Sequence, residues 1–328
     1  MELNIQRPRR NRKSDAIRAM VQETRIHADN LIVPFFLLDG TNKKEEISSM
    51  PGVFRFTIDL ALIEAAECIA LGLRNFILFP AIEEQHKDKY ATWSYHPDCF
   101  YLNAIQAFKT QFPECTVITD VAMDPYSSDG HDGIYQDGQI LNDETLSVLA
   151  KMAVAQARAG ADIMGPSDMM DGRVGYIRRA LDEAGFTQVS IMSYTAKYAS
   201  CFYGPFRDAL DSAPKHGNKL TYQMHPANKR AALIEAALDE AEGADFLMVK
   251  PALSYLDVIA ELRQNSSLPI VAYNVSGEYA MIKAAAERGW VDEHRAIDEV
   301  LTSIKRAGAD IIITYFAKQY VIAQAGLK

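Results

Sequence analysis

A closed α/β fold, the (β/α)8 or TIM barrel with an extended N-terminal arm, is predicted for this 328-residue chain by three observations. A glycine joint recurs: Ala159-Gly160-Ala161-Asp162, Glu242-Gly243-Ala244-Asp245 and Ala307-Gly308-Ala309-Asp310, with looser versions around Gly72 and Gly185. Glycine accepts the left-handed conformation that ends a helix, so each joint reads as a helix turning directly into a strand. Eight short apolar runs alternate with helical patterns, as expected of a parallel sheet covered on its outer face. The open doubly wound alternative lacks support, since no GxGxxG or other phosphate-binding glycine loop is present.

The elements follow in order. Residues 1–29 read as the arm and 30–328 as the barrel. Strands are expected at 30–37, at 74–79 beyond Gly72, and at 116–121. The helix ahead of Gly160 has Asn142 or Asp143 as N-cap, acids in its first turn, and Leu146, Leu149, Ala153 and Ala157 at helical spacing. Further strands are expected at 162–165, 188–193, 245–249, 269–275 and 310–315, with no long linker dividing the chain. Seven positions beyond Gly160, Gly243 and Gly308 stand Ser167, Lys250 and Tyr315, which therefore share one rim. Asp120, Lys197 and Ser276 also end or follow strand candidates. The carboxyl-end rim of such a barrel is where chemistry is done.

Composition narrows the class. With 48% apolar and 23% charged residues the chain can bury a large core, and its apolar runs stay short of the ~20 residues that a membrane helix needs. The N-terminus does not read as a secretory signal. Four cysteines without CxxC pairing fit a reducing cytoplasm and argue against a cysteine-ligated zinc. The net charge of −9 conceals an arm of +4, from Arg7, Arg9, Arg10, Arg12 and Lys13 against Glu2, on a body of −13. A short arm without interleaved aromatics, on an acidic body, is a poor nucleic-acid ligand and a better match for an acidic neighbouring subunit.

Two lysines carry the chemistry. Lys197 ends the run Val-Ser-Ile-Met-Ser-Tyr-Thr-Ala-Lys, and Lys250 ends Phe-Leu-Met-Val-Lys before Pro251. An amine in an apolar setting loses solvation of its charged form, becomes nucleophilic at ordinary pH and forms Schiff bases with ketones. One such lysine describes an aldolase on the same barrel, whereas two describe an enzyme that joins two carbonyl substrates. A binding or scaffolding barrel with inert lysines is the non-enzymatic rival.

The runs Ser193-Tyr194-Thr195-Ala196-Lys197-Tyr198-Ala199-Ser200, Phe202-Tyr203-Gly204-Pro205-Phe206-Arg207, Met248-Val249-Lys250-Pro251, Val275-Ser276-Gly277-Glu278 and Ile313-Thr314-Tyr315 closely resemble the porphobilinogen synthase, or 5-aminolevulinate dehydratase, family over nearly the whole chain. The resemblance implies condensation of two 5-aminolevulinate molecules to porphobilinogen with loss of two waters, in tetrapyrrole synthesis. It implies Schiff bases at Lys250 and Lys197. It also implies one carboxylate held by Arg207, Lys219 and Gln223 and the other by Ser276 and Tyr315, under a lid around Gly204 and Gly217. Zinc-dependent members carry three cysteines where this chain has Ala122, Asp124 and Asp132, so no zinc is expected. Asp124 and Asp132 then stand either as oxygen ligands for a hard cation or as turn residues, and Asp120 as a proton carrier. Asp129 stands where relatives often have histidine. Glu235 matches a residue of a separate, allosteric magnesium site, and the expected assembly is a homo-oligomer, an octamer.

Overall fold

The computed structural model describes residues 6–326, so Glu2 of the basic arm and the last two residues of the barrel domain lie outside the described residues. Eight parallel strands form the barrel: β1 (Leu31–Leu38), β2 (Asn75–Pro80), β3 (Thr116–Val121), β4 (Ile163–Pro166), β5 (Ser190–Lys197), β6 (Phe246–Lys250), β7 (Ile270–Asn274) and β8 (Ile311–Thr314). They pair in sequence order, and β8 closes on β1 through Leu31↔Ile312 and Ile32↔Ile313. Helices Ile58–Ala70, Phe100–Gln111, Asn142–Arg158, Arg173–Glu183, Ala231–Glu242, Leu256–Asn265, Glu293–Ala307 and Ala317–Gln324 cover the outside. The strands are buried on both faces, which is why they read as continuous apolar runs.

The glycine joints behave as helix ends, with Gly160, Gly243 and Gly308 at φ of +104°, +100° and +123°. The aspartate of each joint has a separate job that the sequence pattern concealed. Asp162 accepts from the Val117 N–H (2.8 Å), Asp245 from Ile191 (2.8 Å) and Asp310 from Ile270 (3.0 Å). Each aspartate N–H also donates to the carbonyl of that same residue. The joints thus staple β3 to β4, β5 to β6 and β7 to β8 at the amino end of the barrel, opposite the site.

Seven of the eight strands begin and end within a residue of their expected bounds. The fifth runs to Lys197, four residues further than 188–193, because Ala196 and Lys197 pair with Val249 and Lys250 beyond a shift in register. The helix before Gly160 starts at Asn142, with Leu141 at the cap. Asn142 is not the N-cap; its amide instead exchanges two hydrogen bonds with the Asp171 backbone on the next loop.

Additions gather on the carboxyl-end rim. A strand at Phe54–Thr57 pairs with the last residues of β1, a hairpin spans Ile134–Leu141, and residues 198–230 after β5 include a short helix, Gly204–Leu210. At the other extreme, the arm forms a turn at Pro8–Arg12 and a helix at Asp15–Met20, neither with a buried side chain. Among the described residues no helix is long and apolar enough to cross a membrane.

Candidate active site

The last residues of β5 and β6, Lys197 and Lys250, are register partners on adjacent strands, which brings two amines to one place on the rim. Lys250 is 5% exposed. Its Nζ faces four rings, with centroids of Tyr273, Phe206, Tyr194 and Tyr203 at 4.6, 4.8, 5.1 and 5.2 Å. Among the described residues no carboxylate lies within ion-pair distance of it. Burial, reinforced by repulsion from Lys197, outweighs the attraction of Asp120, Asp124 and Asp132 and brings its pKa down to about 7. A substantial share of Lys250 is therefore the free amine near neutrality. Tyr203 donates to the Lys250 carbonyl (3.0 Å), which ties the cage to the strand it surrounds.

Lys197 has polar company. Its Nζ donates to the Ser167 carbonyl and lies 3.6 Å from Asp132. Lys219, from the segment after β5, reaches in to lie 2.8 Å from Asp132 and 3.1 Å from Asp124. Two ammonium groups and two carboxylates thus form a buried cluster. Burial alone would raise Asp132, but Lys197 and Lys219 together hold its carboxyl well below the usual range. Burial would likewise lower Lys219, and Asp124 with Asp132 raise it instead.

This cluster alters the expected use of three residues. Asp124 and Asp132, read as ligands for a hard cation, have their oxygens turned to lysine ammonium groups, and the donor set as folded does not fit a metal. Among the described residues no group of three or more His, Cys, Asp or Glu is placed to hold one. Lys219, read as an anchor for substrate carboxylate, is already paired. Asp120 on β3 is 6% exposed, and burial, followed by repulsion from Asp124, pushes its carboxyl up to about 7.

Arg207, Lys219 and Gln223 line one cavity of about 220 Å³ with Ala199 and Ser200. Arg207 has no ion-pair partner among the described residues and remains available to an incoming carboxylate. The buried Gln223 Oε1, an acceptor, also has no partner among them, so a carboxylate could be met there by the Gln223 amide N–H and not by this oxygen. Ser276 and Tyr315 are engaged. The Ser276 hydroxyl accepts from the Phe206 N–H (3.0 Å) and donates to the Phe202 carbonyl (3.3 Å), while the Tyr315 and Tyr273 hydroxyls bond at 2.9 Å. Gly277 explains that close approach, since a Cβ there would sit 2.6 Å from the Phe202 carbonyl oxygen. Glu235 lies outside the barrel on the Ala231–Glu242 helix, partly buried. Burial raises its carboxyl against the opposing Arg173, and Asp239, Asp171 and Glu242 add to the rise.

Several members of the site carried no individual signal. Tyr194 and Tyr273 sit in apolar strands and read as core, while Tyr203 and Phe206 stood beside Arg207 without a role. Glu278 accepts from the N–H groups of Leu253 and Val275 and from the Asn274 amide (2.8, 3.0 and 2.9 Å), locking the loop after Lys250 to the helix that begins at Ser276. Arg173 is buried between Asp239 (3.3 Å), Ser193 (3.1 Å) and the Tyr194 carbonyl (3.3 Å), and so fixes β5 just ahead of Lys197.

Comparison with known proteins points the same way. Residues 5–323 match the family model for delta-aminolevulinic acid dehydratase. The chloroplastic delta-aminolevulinic acid dehydratase of Physcomitrium patens is 57% identical over 95% of this chain and 73% of its own length. That of Chlamydia pneumoniae is 53% identical over 95% of this chain and 94% of its own. The crystal structure of delta-aminolevulinic acid dehydratase (porphobilinogen synthase) from Toxoplasma gondii ME49, in complex with the reaction product porphobilinogen, superposes with a TM-score of 0.95 at 52% identity, covering 97% of this chain and 92% of that one. With two strand-end amines on the rim of the same barrel, the chain belongs to the delta-aminolevulinic acid dehydratase family.

Proposed function

We propose that Lys250 and Lys197 divide the work of the family's reaction. The chain condenses two molecules of 5-aminolevulinate to porphobilinogen with loss of two waters, and each lysine holds one of them as a Schiff base. The observation that carries this reading is the register pairing of the two lysines, one caged by aromatic rings and the other set in a charge cluster. A neutral Lys250 amine attacks a ketone, and expulsion of its oxygen as water leaves an iminium that acidifies the neighbouring carbon. Asp120, whose carboxyl burial pushes up to about 7, carries protons between steps in this reading.

Arg207, Lys219 and Gln223 take one substrate carboxylate in the cavity they line, and Ser276 and Tyr315 take the other. Entry of the first carboxylate draws Lys219 away from Asp124 and Asp132. Reduction with borohydride in the presence of 5-aminolevulinate, followed by peptide mass spectrometry, is expected to find adducts on both lysines. An adduct on Lys250 alone, with full activity retained by Lys197→Ala, would return the chain to the one-lysine aldolase reading.

No step is assigned to a metal. Zinc is not expected, because positions 122, 124 and 132 hold Ala122, Asp124 and Asp132. Magnesium is assigned to Glu235 as an allosteric ion, since a partly buried carboxylate among acids suits a cation that keeps most of its water shell. The homo-oligomer, read as an octamer, is supported by the detached basic arm and by exposed Ile234 and Leu238 on the same helix as Glu235. Magnesium titration of wild type and Glu235→Ala, followed by activity and light scattering, is expected to separate the two. Identical curves would remove the ion from that position. A cytoplasmic enzyme is consistent with four free cysteines.

A further inference from the structure

The short helix Gly204–Leu210 carries two groups that the site needs. Phe206 lies against Lys250 Nζ and meets the Phe79 ring edge-on at 5.0 Å, and Arg207 lines the carboxylate cavity. A seven-residue helix is too short to persist by itself, and its last carbonyls have no partners within the helix. Those carbonyls are met from outside. Arg55 Nε donates to the Ala209 carbonyl (2.6 Å) and Arg55 Nη2 to the Asp208 carbonyl (2.5 Å), while Lys87 Nζ donates to the carbonyl of Asp211, the C-cap residue (3.0 Å).

The two cations come from different parts of the rim. Arg55 lies on the Phe54–Thr57 strand, in register with Phe36 of β1, and its Nη1 is 3.7 Å from Glu45. Lys87 follows β2, its side chain 3% exposed and 3.2 Å from Glu84. Glu84 also pairs with Lys215, and the Lys215 N–H donates to the Asp129 carbonyl (3.0 Å), so the segment after the helix is held as well. Positive charge at a helix carboxyl end is favourable, and the planar guanidinium can serve two carbonyls at once.

We propose that Arg55 and Lys87 are positioning residues that latch the Gly204–Leu210 helix over the active site, setting Phe206 against Lys250 and Arg207 in the carboxylate cavity. The latch touches neither substrate nor a reacting atom. Its loss lets the helix lift, which opens the cage to water and moves the anchor away from the carboxylate it should meet.

The proposal rests on the two-lysine reading, and its test keeps the two apart. In Arg55→Ala, KM for 5-aminolevulinate is expected to rise about tenfold, as for loss of charge-assisted hydrogen bonds. Protease cleavage within residues 204–224 is expected to accelerate, with the melting temperature little changed and borohydride adducts still forming on both lysines. Arg55→Lys should restore part of the KM, and Lys87→Met should reproduce the defect from the other side. Unchanged KM and cleavage in both Arg55→Ala and Lys87→Met would overturn the latch. So would a KM defect accompanied by an equal loss of stability throughout the chain. Absence of adducts in the wild-type enzyme would instead overturn the Schiff-base reading.

Discussion

Lys250→Met is expected to abolish turnover while making the protein harder to unfold. The two results have one cause. Lys250 is buried among four rings with no carboxylate in contact among the described residues, so its charged form is poorly solvated in the folded chain. That destabilisation supplies the neutral nucleophile, and methionine fills similar space without the charge. Burial depresses the folded pKa to about 7, below the ordinary lysine value, so between these two values the unfolded chain binds more protons. Stability of the wild type therefore rises with pH across this window, and the advantage of Lys250→Met is greatest below about pH 7 and shrinks above it. A gain of roughly 1–2 kcal/mol is the expected scale, read from melting curves at pH 6, 8 and 10. In the wild type, kcat/KM should fall below about pH 7 as the amine is protonated. A variant less stable than wild type at pH 6 would show that Lys250 is paired, not caged.

The lysine pair was legible because it violates the ordinary placement of charge: an ammonium at the end of an apolar strand has few structural explanations. The barrel was legible through the joint glycines, whose left-handed backbone is a local requirement that recurs with the repeat. What escaped depends on contacts remote in sequence. The aspartates of the joints had no role in the sequence pattern, and only the closed sheet shows each one capping the preceding strand. Tyr194 and Tyr273 have the burial of core residues, and only the position of Lys250 makes them a cage. Asp124 and Asp132 follow β3 while Lys219 follows β5, so a carboxylate pair that looked free for a cation is engaged by a residue remote in sequence and two strands along the rim. The C-cap of the Gly204–Leu210 helix was equally hidden, since its donors come from the Phe54–Thr57 strand that follows β1 and from the loop after β2.

Asp132→Ala tests that engagement most severely. The cluster of Lys197, Lys219, Asp124 and Asp132 is close to neutral as a unit, and removing one carboxylate leaves two buried ammonium groups facing a single counter-charge. Breaking a buried pair in this way costs about 3–5 kcal/mol, because the orphaned charge stays in a medium that cannot solvate it. The folded pKa of Asp132 is depressed by Lys197 and Lys219 despite burial, so its contribution is fully present above the ordinary carboxylate pKa. It is lost as pH falls through the lower folded value. The stability gap between Asp132→Ala and wild type should therefore stay constant from pH 5 to pH 8 and close only in strong acid. Activity supplies a second reading. Asp132 helps hold the proton on Lys250, so its removal should move the acid limb of kcat/KM to lower pH even as the absolute rate falls. A limb that stays in place would show that Asp132 does not act electrostatically on Lys250. Denaturation curves and a pH–rate profile on Asp132→Ala and Asp132→Asn decide the matter, because the amide keeps the shape of the carboxylate and removes only its charge.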